Sequence, residues 1–227
     1  MKHIHTVDEL FKYQDLEYKK FNDKILNNET YPTIGIRIPI LRNLAKEWAK
    51  NDYLDYINSK HTYYEEYMIH GLILGYIKIP FNELLDELDK FIPYIHDWAM
   101  VDIPVSNLKN FKKNLDIGYN YILKLLEKDT FSIRFGLILL LDYYLNDEFI
   151  DRVLNIVLSV KNNEYYVMMA KAWLLSVAYI KYKDKTIKIL ESNKLDKDTI
   201  NKTISKICDS YRVSTEDKLE VKKLRRS

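Results

Sequence analysis

Apolar and polar positions alternate along most of the chain with helical rather than strand spacing, in segments joined by short connectors. Thr6 or Asp8 offers a cap for a first helix, and a second spans residues 15–26. Pro39 sits at the start of IPILRNLAKEWAK, where a first helical turn tolerates proline best. Further helices are predicted over 63–78, 81–94, 97–103, 115–127, 131–145, 149–160, 164–182, 185–191 and 197–211. The last part, STEDKLEVKKLRR, opens with a capping-box-like pair at Ser214 and Asp217, aspartate being a weaker partner there than glutamate.

The segments repeat. HGLILGYI around Gly71, FGLILLLDYY around Gly136 and KAWLLSVAYI around Ala172 each run from a small residue through an aliphatic stretch to an aromatic. Gly136 and Ala172 are 36 residues apart, while Gly71 and Gly136 are 65 apart, close to two such periods. The copy between them falls near Asp102 in DWAMVDIPV, and a further step reaches ISKICDSY. A helical period in the mid-thirties marks stacked helix pairs. The repeated helices are apolar nearly all round and need cover on both sides, whereas helices such as FNELLDELDKFI keep a polar face for the outside. The expected fold is all-α, a HEAT-like helical-repeat solenoid with a concave groove, forming one domain over residues 1–227. Only 5 Gly and 5 Pro fit this better than a fold of many turns.

Composition narrows the picture further. Hydrophobic residues at 47% and charged residues at 30% give a globular chain rather than a disordered one. The 19 tyrosines accompany abundant Lys, Ile and Asn, the signature of an AT-rich genome, and carry no functional weight. A net charge of +2 does not announce a polyanion binder, which would need its charge gathered on one face. Cys208 is the only cysteine, so no intrachain disulfide forms and a thiolate metal cluster is ruled out. His3, His5, His61, His70 and His96 lack paired zinc-ligand spacing, so no metal and no cofactor is expected. Nucleotide-binding glycine motifs and the GxSxG nucleophile motif are absent. The N-terminal stretch lacks a signal peptide's apolar core, and the longest apolar run, around residues 135–141, is too short for a bilayer; the expected location is the cytoplasm.

Polar residues on the repeated helices carry the functional signal. Arg134 lies inside FSIRFGLILLL and Asp102 inside WAMVDIPV, and a charge in such a run is either paired or opens into a cleft. Two readings stand: an ion pair between repeats, or a functional site. Trp98 and Asp102 are four residues apart, so on a helix an indole and a carboxylate share one face, an arrangement that suits a cationic ligand. Trp173 lies on a later repeated helix and faces the same groove, unless both tryptophans are core. Trp48 reads as packing, and Glu65-Glu66 as acids favoured by a helix start.

Six segments together resemble a known family: GIRIPILRNLAKEW, EEYMIHGLILGYI, IHDWAMVDI, FSIRFGLILLL, MMAKAWLLSVAYI and SKICDSYRVSTEDK. In order, from about Gly35 to Asp217, they are similar to blocks of the AlkD-like DNA alkylation repair glycosylases. The resemblance implies that Trp98 and Asp102 match the catalytic motif, Arg134 a cleft arginine and Trp173 a second cleft tryptophan. A cleft aromatic before the GIRIP block falls at Phe21 or Tyr18. Asp97-Trp98 stands where better-known members have two tryptophans, and Ser176-Val177-Ala178 where they have Arg-Glu-Tyr.

The implied activity is hydrolysis of the glycosidic bond of cationic alkylated purines in duplex DNA, by a monomer. An N3- or N7-alkylated purine is already a good leaving group, so what helps is a carboxylate facing the cationic sugar that develops as the bond breaks. Asp102 fills that role, Trp98 and Trp173 pack on the lesion-bearing deoxyribose and backbone, and Arg134 clamps a phosphate. Arg37, Arg42, Lys206, Arg212 and the basic tail at 222–226 are candidate phosphate contacts, each weighed against a merely solvated face. A non-catalytic relative that binds bent or branched DNA and a protein-interaction scaffold are the alternatives.

Overall fold

In the computed structural model, residues 6–26, 29–51 and 53–227 are described. His3 and His5 lie outside them. The chain divides into two compact units, Met1–Asn114 and Leu115–Ser227. Among the described residues every regular element is helical, and no helix is long and apolar enough to cross a membrane.

The first unit contains α1 (Val7–Phe11), α2 (Leu16–Leu26), α3 (Ile38–Trp48), α4 (Tyr53–Ile57), α5 (Tyr64–Leu74), α6 (Phe81–Phe91) and α7 (Ala99–Val105), with 3-10 turns at Ile92–Tyr94 and Lys109–Lys113. Every residue of α5 is buried, its Glu65, Glu66 and His70 among them, and the helix packs against α3, α6 and α7. The small residue of the repeat pattern has a steric reason. A Cβ on Gly71 would stand 2.5 Å from the Phe91 ring and 2.8 Å from Pro104, so glycine is what lets α6 and α7 close onto α5.

The second unit contains α8 (Leu115–Leu125), α9 (Thr130–Tyr143), α10 (Ile150–Ser159), α11 (Tyr165–Lys181), α12 (Lys183–Glu191), α13 (Lys197–Asp209) and α14 (Thr215–Lys222). The repeated helices α9, α11 and α13 pack side by side. Partner helices cover them, α8 on α9, α12 on α11 and α14 on α13. This is the helix-pair repeat read from the sequence, with the expected copy at Cys208 supplied by α13.

Several boundaries differ from the sequence reading. The short helix α4 was not expected. The segment read as 81–94 changes to a 3-10 turn at Ile92, with Pro93 inside the turn. The segment read as 97–103 begins at Ala99, because Asp97 is spent on capping it. Thr6 makes no side-chain cap, whereas Asp15 caps α2 by accepting the Tyr18 N–H. Ser214 does cap α14, accepting from the Asp217 N–H. The Asp217 carboxylate turns instead to Lys183.

The two glycines of the repeat pattern should respond differently to alanine. Gly71→Ala forces a Cβ into a ring that has no room to move, and overpacking of this kind costs about 1–3 kcal/mol against the ~1 kcal/mol that alanine returns in helix propensity. At Gly136 the nearest atom, a Leu126 methyl, is 3.2 Å away. Thermal denaturation should show Gly71→Ala melting below the parent and Gly136→Ala at or above it; the reverse order would refute this packing.

Candidate active site

The candidate site in the first unit is built on α7. The buried carboxylate of Asp97 starts the helix: its Oδ1 accepts the N–H groups of Ala99 at 2.7 Å and Met100 at 3.1 Å. Tyr64 approaches the same oxygen from α5, Oη to Oδ1 at 3.4 Å. Trp98 follows in helical conformation, and its carbonyl accepts the Asp102 N–H at 3.0 Å. The indole-bearing and carboxylate-bearing residues are therefore one closed helical turn apart, as their spacing predicted. Both are half-buried, so Asp102 is not sealed from water. Pro104 lies inside the helix and supplies no N–H to the ladder, and α7 runs for seven residues.

Neighbouring elements hold this short helix at its far end too. Arg42, on α3, donates to Ser106 Oγ at 3.1 Å and reaches toward the Ile103 carbonyl at 3.4 Å. Asn107 turns back and donates to the Leu72 carbonyl at the end of α5. Arg42, expected from sequence as a phosphate contact, is thus engaged with the end of α7. Arg37 is engaged as well: Nε and Nη2 lie 3.0 and 2.9 Å from Asp15 Oδ2, and the guanidinium stacks over the Tyr18 ring. Of the two candidate aromatics, Tyr18 is packed under that arginine and Phe21 is exposed.

Asp97 and Asp102 occupy opposite electrostatic settings on one helix. Burial above all pushes the Asp97 carboxyl up to about 6, with the charge of Asp102 adding to it, against the pull of the Met100 and Ala99 N–H groups. Its Oδ2 is buried without a hydrogen-bond partner among the described residues. The buried His61 and His70, with rings 5.5 Å apart, shift the other way. Burial lowers both, His70 to about 3.

In the second unit Arg134 is 5% exposed within α9, and Nη1 donates to the Tyr166 carbonyl in the first turn of α11 at 2.9 Å. Trp173, two turns further along α11, is half-buried beside a groove of about 260 Å³. Val177 and Ile180 continue that stripe of α11, and Lys206, Asp209 and Arg212 form the opposite wall. Three sequence candidates, Trp173, Lys206 and Arg212, are therefore brought together here.

Sequence reasoning missed the buried polar residues that fasten helix ends. Glu65 is not merely an acid at a helix start: it is 1% exposed and accepts three backbone N–H groups, from Ile34, Gly35 and Ile36. Gly35 has φ +95° in that loop, a conformation glycine alone adopts cheaply. Lys171 is buried and donates to the Val160 carbonyl and Asn163 Oδ1. Asp97 left one usable signal, an aspartate just ahead of a helix start. Among the described residues no cluster of His, Cys, Asp and Glu could hold a metal ion.

A half-exposed carboxylate one turn from an indole offers a cation both a negative charge and a π-face. Compared with known proteins, the chain matches the model of one family, described as DNA alkylation repair enzyme, over residues 6–207. No curated protein and no solved structure matches it.

The Asp97 carboxyl makes a pH prediction. Its native pKa lies above its ordinary value of 3.8, so the native state binds more protons between about 4 and 6, and folding is progressively disfavoured as pH rises through that window. His61 and His70 act oppositely: their native pKa values lie below the ordinary 6.5, so stability falls as pH drops beneath it. The Asp97 contribution is therefore read as the difference between the parent and Asp97→Asn, which keeps an acceptor oxygen for the α7 N–H groups. In urea unfolding the variant should gain up to about 3 kcal/mol above pH 6 and converge on the parent near pH 4. A gap that does not change with pH would rule the raised carboxyl out.

Proposed function

Because the chain belongs to the family of DNA alkylation repair enzymes, we propose that it is a monofunctional glycosylase that hydrolyses the N-glycosidic bond of cationic alkylated purines in duplex DNA. Family membership supports a DNA substrate, a repair role and an enzyme. The observation that carries the finer reading is the Trp98–Asp102 pair: one turn apart, half-exposed, on a helix fastened at both ends.

The chemistry follows from what an alkylated purine lacks. Its base already carries a positive charge and leaves without protonation, so the barrier lies in the cationic character that builds on the sugar. An ionised Asp102 facing the sugar lowers that barrier electrostatically and orients the attacking water. Trp98 gives the deoxyribose an apolar, π-rich wall. Trp173 packs on the lesion-bearing strand, and Arg134 clamps a phosphate. Lys206 and Arg212 add phosphate contacts beside Trp173, while Arg37 and Arg42 act chiefly by fastening α2 and α7. The reading includes a single repeat domain working as a monomer in the cytoplasm, without metal or cofactor.

A second reading, a relative that binds unusual DNA without excising bases, is favoured by Ser176-Val177-Ala178, which leaves α11 without a charged residue directly after Trp173. One assay separates the two. Purified protein should release 3-methyladenine or 7-methylguanine from methylated duplex DNA, and Asp102→Asn should slow that release by about 10²–10³-fold. Protein that binds the duplex and frees no base would sink the glycosylase reading in favour of the second.

A further inference from the structure

We propose that Asp97 is a positioning residue for base excision: its buried carboxylate holds the turn that carries Trp98 and Asp102 and backs that turn with a second negative charge. The proposal rests on the glycosylase reading above and adds to it a residue that touches neither base nor sugar.

Position comes first. Asp97 directly precedes Trp98 and lies five residues before Asp102. Its Oδ1 accepts the N–H groups of Ala99 and Met100, which fastens the first turn of α7 from inside the protein. The Tyr64 hydroxyl of α5 lies 3.4 Å from the same oxygen. The other oxygen, Oδ2, is buried without a hydrogen-bond partner, and among the described residues no Lys, Arg or His forms an ion pair with Asp97. Glu65, the next residue of α5, is turned to the loop at residues 34–36. The titratable groups that face Asp97 are therefore Tyr64 and, on its own helix, Asp102.

A cap does not need this charge. Serine, threonine and asparagine cap helices about as well as aspartate, and none of them buries a carboxylate. What aspartate adds is negative potential. A buried charge without a counter-ion is poorly screened by water and salt, so its field reaches along the short helix to the turn it caps. The chemistry proposed for that turn has one demand, negative potential where the sugar becomes cationic. Asp102 supplies it at close range and Asp97 from within the fold.

Titration changes this charge and leaves the cap in place. Oδ1 is occupied by N–H donors, so a proton settles on Oδ2. Burial, aided by the charge of Asp102 and opposed by the Met100 and Ala99 N–H groups, raises the carboxyl to about 6. Above that pH the two residues carry two negative charges, and below it one. Coupling of this kind is mutual, so Asp102 titrates in two steps.

The test compares the parent with Asp97→Asn by single-turnover release of 7-methylguanine from methylated duplex DNA, from about pH 5 to about pH 8, corrected for release without protein. The variant should release base about 10-fold more slowly at the upper end and converge on the parent at the lower. It should bind undamaged duplex as tightly as the parent or more tightly, because a negative charge is gone. Removing the buried charge also stabilises the fold above pH 6, so the variant should be slower and more stable at once, which a purely structural cap does not produce. A rate ratio that stays constant with pH, or slow release explained by lost duplex binding, would overturn the role. Should the variant fail to fold, carboxyl ¹³C NMR of the parent decides: the Asp102 resonance should show a step near pH 6 besides its own, and a single step overturns the coupling. A parent that releases no base removes the glycosylase reading and this role with it. Release with a flat parent-to-variant ratio removes the role of Asp97 alone and leaves that reading intact.

Discussion

Three helices of this chain, α5, α9 and α11, have almost no polar face, and the need to cover them on every side governs the rest of the structure. Each fully buried aliphatic or aromatic side chain contributes about 1.5–3 kcal/mol through removal from water, so leaving one flank of such a helix wet would cost more than a domain's net stability. The response within each unit is the same: neighbouring repeated helices on the flanks, and a partner helix over the back. Gly71 shows how tight that cover is, since even one methyl group there meets two neighbours at once.

Covering helices so completely strands their ends, where backbone N–H and C=O groups have no partner in their own ladder. Long polar side chains, reaching in from elsewhere, supply what is missing. Asn107 takes the Leu72 carbonyl, Lys171 takes the Val160 carbonyl, Asp97 takes the first N–H groups of α7, and Glu65 does the same for the N–H groups of the buried loop 34–36 ahead of α3. A buried polar group is tolerable because it satisfies another one, and losing either partner leaves a desolvated group at a cost of about 1–3 kcal/mol. The consequence for the site is rigidity. The helix α7 has only seven residues and would be marginal alone, yet Asp97 fixes its start and Arg42 its end, so the Trp98–Asp102 pair rides on a fastened element. A carboxylate that acts by facing developing charge gains from being held before the reaction begins.

What could be read in the sequence divides along the same line. The repeat, the all-round apolar helices and the Trp98–Asp102 spacing are local or periodic signals, and each survives in the structure because periodicity of burial is what the fold is made of. Helix ends were read less well. The segment at 97–103 was entered two residues early because Asp97 looks like part of the helix until its buried cap is seen. Glu65 was the larger miss: its partners lie about thirty residues earlier in the chain, and nothing local distinguishes a carboxylate that enters a cradle from one that favours a helix dipole. Arg37 and Arg42 show the converse error. Their charge was legible, but their attachment to Asp15 and to the end of α7 depends on tertiary placement.

Those attachments bear on how the protein can hold a polyanion. A net charge of +2 is small to begin with, and several cations are already neutralised locally: Arg37 by Asp15, Lys19 by Asp23, Lys183 by Asp217 and Glu220, Lys185 by Asp151. Exposed pairs of this kind contribute little to stability, yet they do reduce the field that an approaching phosphate backbone meets. Attraction spread over a broad basic face, the usual source of tight and strongly salt-dependent DNA binding, is reduced wherever such a pair stands. A place where an aromatic surface meets a charge then counts for more. In the first unit an indole and a carboxylate meet in this way at the Trp98–Asp102 turn, and in the second Trp173 lines one groove with Lys206, Asp209 and Arg212. A molecule organised this way gains more from a distorted or charged nucleotide than from the regular backbone around it, and discrimination of that kind is what a repair enzyme must achieve against a large excess of undamaged DNA.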